Sequence, residues 1–127
     1  MTIAYRAASL SVLGEWLAEA RDDERWRLIA EFLEEYRHEP ERERLALLRL
    51  EPPSTGDERW DAFLAGLAEY LAARADRAAP AWAERRSLRR FWFPFGSRAA
   101  RADAFVHSPA AFRRRGIFIS PQELGVA

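Results

Sequence analysis

Cysteine and lysine are both missing from this sequence of 127 residues. A chain without cysteine forms no disulfides, offers no thiolate nucleophile and supplies no cysteine ligand for zinc. Because lysine is absent, every basic residue is an arginine. That bias often follows a GC-rich genome, so it is not in itself evidence that the protein recognises phosphate or carboxylate groups.

Long apolar runs are also missing. No stretch of about eighteen apolar residues predicts a membrane-spanning helix. The residues that follow Met1 lack the apolar segment of a secretory signal. We therefore expect a cytoplasmic protein that does not cross a membrane.

Motifs for catalysis or metal binding are scarce. The two histidines, His38 and His107, do not have the spacing of a zinc site. Ser108 follows His107 directly, but a nucleophile and its base are brought together by the fold and not by adjacency in sequence. The acidic residues have no glycine-rich phosphate loop near them. We expect a protein without enzymatic activity, cofactor or metal.

The overall composition is typical of one folded domain. Hydrophobic residues make up 49% of the chain and charged residues 31%. The net charge is zero, yet residues 1–79 carry 11 Arg against 17 acidic residues, a balance of −6. Residues 80–127 carry 9 Arg against 3 acidic residues, a balance of +6. We expect these two parts to attract each other, and the basic part also suits an acidic partner or nucleic acid.

Helical periodicity predicts an all-α single domain over residues 1–127, with five or six helices. Residues 1–79 form its acidic helical part, and residues 80–127 form a partly irregular arm rich in aromatic residues and arginine, called here the C-terminal arm. The predicted helix starts combine capping residues with proline; they lie near Ser9, Asp22, Pro40, Thr55, Pro80, Ser97, Ser108 and Ser120.

The helix that starts near Thr55 has the strongest signal. Thr55 and Glu58 have the spacing of a capping box, in which the hydroxyl accepts from a backbone N–H and the carboxylate reaches back. Large apolar residues recur on one face from Trp60 to Leu71, and several alanines follow. We expect this helix to extend to about Arg77 and to be the longest and best buried.

Aromatic residues are concentrated between Phe91 and Phe95, a stretch that is too aromatic for a solvated loop. Pro94 and Gly96 exclude a long helix there. Two interpretations stay open: the aromatic residues fill the core between helices, or they form a hydrophobic contact with another molecule.

Three consecutive arginines, Arg113 to Arg115, precede Gly116, which is placed as a helix stop. Phe112 before them and the apolar run Ile117–Ile119 after them are unlike a free basic tail. The first hypothesis is a protein-interaction module that uses the arm from Trp92 to Phe118. Its predicted contact residues are aromatic or basic: Trp92, Phe93, Phe95, Phe112, Arg113, Arg114, Arg115 and Phe118.

The second hypothesis is a DNA-binding transcriptional regulator. Arginines that bind phosphates give a salt-dependent affinity for DNA. The spacing of a helix-turn-helix is not evident, so this hypothesis ranks below the first. Its predicted DNA contacts are the arginine clusters of the arm: Arg85, Arg86, Arg89, Arg90, Arg113, Arg114 and Arg115.

Three segments carry a resemblance to a known group of proteins: PPSTGDERWDAFLA at 52–65, PAWA at 80–83 and SPAAFRRRGIFI at 108–119. They resemble small actinobacterial proteins found in toxin–antitoxin-like gene pairs. The resemblance implies a non-enzymatic, antitoxin-like protein that neutralises a partner protein, with a toxin-like nucleotidyltransferase as the expected partner. It assigns no functional residues.

Overall fold

The computed structural model describes residues 7–125, which form an all-α single domain and confirm the predicted fold class. The ends of the predicted domain, residues 1–6 and 126–127, lie outside this range. The helices are α1 (Leu10–Glu19), α2 (Asp22–His38), α3 (Glu41–Arg44), α4 (Glu58–Arg74), α5 (Arg98–His107) and α6 (Ala110–Arg113). Three 3-10 segments, Leu45–Leu48, Ala81–Arg85 and Pro121–Leu124, complete the described elements.

Helices α1 and α2 cover one side of the core. The Ser9 hydroxyl accepts a hydrogen bond from the Val12 amide at 3.2 Å, so α1 begins where the capping pattern predicts. Leu10, Leu13 and Leu17 lie on one stripe of α1 and are buried. The Arg25 guanidinium of α2 donates to the Leu17 carbonyl at 2.9 Å and thereby joins the two helices.

Helix α4 is the central element. Ten of its 17 residues are buried, including Trp60 and Phe63. The prediction that it is the best-buried helix is confirmed, although α2 has the same length. It ends at Arg74, about one turn before the predicted end, and Asp76 then adopts a left-handed backbone with φ of 56°.

The predicted capping box at the start of α4 is wrong. The N-cap is Asp57, whose carboxylate accepts from the Arg59 amide at 2.9 Å. The side chain that reaches back is Asp61 and not Glu58: it accepts from the Thr55 amide at 2.7 Å and from the Thr55 hydroxyl at 2.8 Å. Thr55 therefore orders the loop before the helix and does not cap it.

The helices predicted to start near Pro40 and Pro80 are short. Pro40 precedes the single turn α3, which continues as a 3-10 segment, and Pro80 precedes a 3-10 segment only. Residues 51–57, which include two prolines, separate the first of these from α4. The two segments meet where the Trp82 indole donates to the Leu48 carbonyl at 3.2 Å.

The C-terminal arm folds back on itself beside α4. The Trp92 amide donates to the Gly116 carbonyl at 2.8 Å, and the Phe118 amide donates to the Trp92 carbonyl at 2.9 Å. These bonds form a parallel β-bridge between Trp92 and Ile117. Gly116 has φ of 84°, a conformation that glycine adopts without strain, and it turns the chain after α6 as predicted.

Within residues 7–125, no helix combines the length and the apolar character that a membrane crossing requires.

Candidate protein-interaction surface

Four phenylalanine rings meet on the outer side of the C-terminal arm. Phe118 is buried at the centre of this group. Its ring centroid lies 4.9 Å from that of Phe93 in a stacked arrangement, 5.2 Å from Phe91 in an edge arrangement and 6.1 Å from Phe105. These three rings come from two separate segments, residues 91–93 and α5. We call Phe91, Phe93, Phe105 and Phe118 the phenylalanine face.

Two rings of the phenylalanine face are open to solvent. Phe91 is 75% exposed and Phe105 is 61% exposed, and Val106 beside Phe105 is 67% exposed. Single exposed apolar residues are normal on protein surfaces, but a contiguous group is more typical of an interaction site. The ring contacts with Phe118 make this a contiguous group.

Two arginines border the same rings. The Arg101 guanidinium lies 5.6 Å from the Phe93 centroid, and that of Arg113 lies 5.4 Å from the Phe118 centroid. Arg113 also donates to the Phe105 carbonyl at 2.6 Å. Contacts with the phenylalanine face thus position both side chains. Neither guanidinium has a carboxylate partner among residues 7–125. The surface therefore combines apolar area with available positive charge.

Helix α5 carries part of this surface and is only lightly packed on the core. Ala104 is its single buried residue. Its start is capped by the Ser97 hydroxyl, which accepts from the Ala100 amide at 3.1 Å. At its end the buried Ser108 hydroxyl donates to the Ala104 carbonyl at 2.5 Å and accepts from the Ile119 amide at 2.8 Å. The Ser97 hydroxyl therefore caps α5 locally, and the bond from Ile119 to Ser108 joins the end of α5 to the rest of the arm.

The structure corrects the prediction that Phe112 contacts a partner. Phe112 is 0% exposed, and its ring packs 5.2 Å from Phe63 and 5.8 Å from Tyr70. A Cβ atom added to Gly66 of α4 would lie 2.7 Å from the Phe112 ring. Phe112 therefore fills a place in the core that the missing side chain of Gly66 leaves open.

The same correction applies to Arg115, which is 3% exposed. Its guanidinium donates to the carbonyls of Ala83 and Ala111, each at 2.8 Å, and to Glu69 of α4 at 3.1 Å. Arg114 is exposed but also bonds to Glu69. Of the three consecutive arginines, only Arg113 lies at the phenylalanine face without a carboxylate partner among the described residues.

Trp92 and Phe95 join the arm to the helical part and do not belong to the phenylalanine face. The Trp92 ring packs edge-on against Trp60 at 5.4 Å and lies 5.2 Å from the Arg59 guanidinium. Phe95 packs against Trp26 of α2 at 4.8 Å. The aromatic run therefore divides: Trp92 and Phe95 point to the core side, whereas Phe91 and Phe93 contact Phe118.

The arginines assigned to DNA also divide. Arg85 and Arg86 both bind Glu51, at 2.9 and 3.1 Å, and Arg86 donates further to the Pro52 carbonyl at 2.6 Å. Together with the pairs to Glu69, these contacts confirm that the basic arm attracts the acidic part of the chain. Arg89 and Arg90 are exposed, and no ion pair joins them to another of residues 7–125.

The predicted contact residues omit four contributors to the surface: Phe91, Arg101, Phe105 and Val106. The short predicted helix at 98–106 has no apolar stripe, and two adjacent apolar residues at its end were the available signal.

Elsewhere in the molecule, the hydrogen bond from Arg59 lowers the pKa of Asp57, and burial raises the pKa of Tyr36. Within residues 7–125, no three His, Asp or Glu residues are grouped as metal ligands.

Comparison of the chain with protein-family models, with curated proteins and with solved structures finds no match.

Proposed function

We propose that this protein is a non-enzymatic interaction module that binds an acidic protein partner through the phenylalanine face. The main support for this proposal is that Phe91 and Phe105 are largely exposed, although both rings contact the buried ring of Phe118. An aromatic group that is already ordered loses little conformational entropy on binding, and aromatic residues are enriched at the centres of interfaces.

The charge around the face defines the partner's chemistry. Arg101 and Arg113 border the rings, and Arg90 and Arg98 flank the two segments in sequence and are exposed. Arginine binds carboxylates in a bidentate geometry and is frequent at interfaces. The partner therefore presents an apolar patch that is rimmed by Asp or Glu.

A protein partner fits better than DNA for two reasons. First, four of the seven arginines assigned to DNA are bound to Glu51 or Glu69 within the chain. Second, Val106 adds aliphatic area, which favours contact with an apolar protein surface and adds nothing to base stacking. DNA binding remains the alternative outcome of the test below.

The test uses the product of the gene adjacent to this one, expressed together with the full chain. We expect a stable complex on size-exclusion chromatography with light scattering. The double variant Phe91→Ser, Phe105→Ser removes the two exposed rings and should weaken binding at least about 100-fold, as expected for two central aromatic contacts. The matched control is Leu50→Ser, because Leu50 is equally exposed but makes no contact with these rings.

If the protein is antitoxin-like, binding must also neutralise the partner protein. When the neighbouring protein inhibits growth, co-expression of the wild-type chain should restore growth and the double variant should not. Full toxicity of the neighbour in the presence of the wild-type chain would contradict this version. A complex that the Leu50 variant weakens as much as the double variant would contradict the assigned surface.

DNA binding is distinguished in a parallel measurement with the DNA upstream of the gene. Under the proposal, the wild-type chain and the double variant Arg89→Gln, Arg90→Gln cause the same weak, non-specific shift of the DNA. A salt-dependent shift at low protein concentration that these two substitutions abolish would replace the protein-partner proposal with the DNA-binding one.

A further inference from the structure

Helix α1 exposes an aromatic ring on its outer side. Trp16 is 49% exposed, whereas the four other tryptophans of the chain are buried or half-buried. The residues that α1 contributes to the core are Leu10, Leu13 and Leu17, which lie on its inner stripe. Tryptophan is enriched among the residues that dominate binding at interfaces. The outer side of α1 therefore offers an aromatic contact that the fold itself leaves largely open.

Two carboxylates flank this ring. Glu15 directly precedes Trp16, and Glu19 lies one turn after Glu15 on the same side of α1. Both glutamates are exposed, and neither forms an ion pair with another of residues 7–125. Helix α1 has no basic residue that would compensate them. We call Glu15, Trp16 and Glu19 the α1 patch.

The α1 patch and the phenylalanine face are complementary in charge and alike in apolar character. The face exposes the rings of Phe91 and Phe105, and the guanidinium groups of Arg101 and Arg113 border it. The α1 patch exposes an indole that is bordered by carboxylates. The chemistry that the proposed function requires of a partner, an apolar group rimmed by acidic residues, is thus present on the chain itself.

The two surfaces do not meet within one chain. Helix α1 packs against α2, α4 and the 3-10 segment Leu45–Leu48. The phenylalanine face is built from residues 91–93, α5 and Phe118. Among residues 7–125, no hydrogen bond, ion pair or ring contact joins the α1 patch to this face. Contact between them therefore requires two chains.

We infer that the α1 patch of one copy docks on the phenylalanine face of a second copy. The two carboxylates pair with Arg101 and Arg113, and the Trp16 indole packs on the exposed phenylalanine rings. The inference rests on the proposed function in using the same face, and it adds a regulation of that face. Self-association covers the surface that the partner protein needs, so the two interactions compete.

Charge excludes the two symmetric alternatives. Two phenylalanine faces in contact would bring the arginines of both copies together, and two α1 patches would bring their carboxylates together. Like charges that meet across an interface lower the affinity. Contact between unlike surfaces pairs opposite charges, and it forms either reciprocally in a dimer or repeatedly from head to tail. Because few side chains take part, we expect a dissociation constant of about 10–500 µM.

Sedimentation equilibrium of the full chain between about 5 µM and about 1 mM measures this association. We expect the average mass to rise with protein concentration. It should fall when NaCl is raised from about 0.05 M to about 0.5 M, because salt screens exposed ion pairs. A monomer at every concentration would overturn the inference. Trp16→Ser should weaken the association about ten-fold or more, and an unchanged association of this variant would also overturn it.

Charge reversal identifies the paired surfaces. Reversal of α1 by Glu15→Arg, Glu19→Arg, or of the face by Arg101→Glu, Arg113→Glu, should weaken association about ten-fold or more. The chain that carries all four substitutions has opposite charges on the two surfaces again, so its association should return to within about three-fold of the wild type. Association of that chain no stronger than that of either double variant would overturn the pairing.

The matched control for the reversal of α1 is Glu43→Arg, Glu84→Arg. Both residues are exposed, they lie outside α1, and the double variant has the same net charge as Glu15→Arg, Glu19→Arg. The control should associate no more weakly than the wild type. A control that loses as much affinity as the reversal of α1 would show that net charge decides the association, which would overturn the assigned patch.

Trp16→Ser also separates this inference from the proposed function. The variant keeps the phenylalanine face but lacks the competing contact, so it should bind the product of the adjacent gene at least as tightly as the wild type. If the chain self-associates as described but does not bind that product, only the proposed function fails. If it binds the product but stays monomeric, only the present inference fails.

Discussion

Helices α4 and α5 are both well-formed, but different interactions stabilise them. Ten of the 17 residues of α4 are buried, whereas Ala104 alone is buried in the ten residues of α5. Burial of apolar area stabilises α4, at about 25 cal/mol per Å². Helix α5 depends on Ser97 at its start and Ser108 at its end. An ordered helix that buries so little of its own surface is available for contact with another molecule.

The same contrast divides the C-terminal arm. Phe112 and Arg115 face α4, and Phe91 and Arg113 face outward with α5. Residues of one type in one short segment therefore have different roles, depending on which helix they meet. The side facing α4 stabilises the fold, and the outer side is the proposed binding surface. Four pairs of substitutions test this division.

The largest effect is expected for Phe112→Ala. It removes a fully buried ring against α4 and should lower the free energy of unfolding by about 3–5 kcal/mol. Phe91→Ala removes a ring of the same type from the outer side and should change the free energy of unfolding by less than about 0.5 kcal/mol. Urea denaturation measures both. Equal losses would show that the two sides of the arm do not differ.

Arg115→Met should have the next largest effect. It leaves the Ala83 and Ala111 carbonyls without their buried donor and Glu69 without a buried partner, at a cost of about 2–4 kcal/mol. In Arg113→Met the lost contact lies at the surface, and we expect a change below about 0.5 kcal/mol. Thermal unfolding of the two variants side by side is the measurement. A destabilised Arg113 variant would contradict the division.

Gly66→Ala tests the close contact of α4 with the arm. The added Cβ atom would lie 2.7 Å from the Phe112 ring, so the ring must shift, and we expect a net loss of about 1–2 kcal/mol. This loss of stability is opposite to the usual effect of the substitution, because alanine is otherwise preferred to glycine within a helix. Gly96→Ala is the control, since a Cβ atom there meets no atom within 4 Å. A more stable Gly66 variant would disprove the close contact.

The smallest effect concerns the two helix starts. Because the Arg59 hydrogen bond lowers the pKa of Asp57 in the folded state, its charge contributes stability above the unfolded pKa. That contribution is lost as the pH falls through the lowered, folded-state pKa. Asp57→Asn should therefore cost up to about 1 kcal/mol at pH 7 and less in acid.

Ser97→Ala is the matched comparison at the start of α5. A serine cap is uncharged, so its loss of about 1 kcal/mol should not change with pH. Since α5 buries so little, this loss should appear mainly as faster amide hydrogen exchange within α5. Chemical denaturation across pH, together with hydrogen exchange, gives both results. A cost of Asp57→Asn that is independent of pH would contradict the role of the charge.

Local sequence patterns determined much of the fold. Ser9, Ser97 and Ser120 each cap the element that follows them, because a hydroxyl accepts from an amide only two or three residues away. The apolar spacing in α4 likewise specifies its buried face. The capping box at Thr55 failed because α4 begins two residues later than this pattern predicts, at Glu58, with Asp57 as its N-cap.

The tertiary structure alone decided which arm residues are available for binding. The sequence determined that the arm is basic and aromatic and that the front part is acidic. It did not determine that Arg115 pairs with Glu69, because that contact joins residues 46 positions apart. Nor did it reveal that Gly66 admits Phe112 to the core and that Phe105 stays outside. Burial depends on which surfaces meet across the fold, and no local pattern records that.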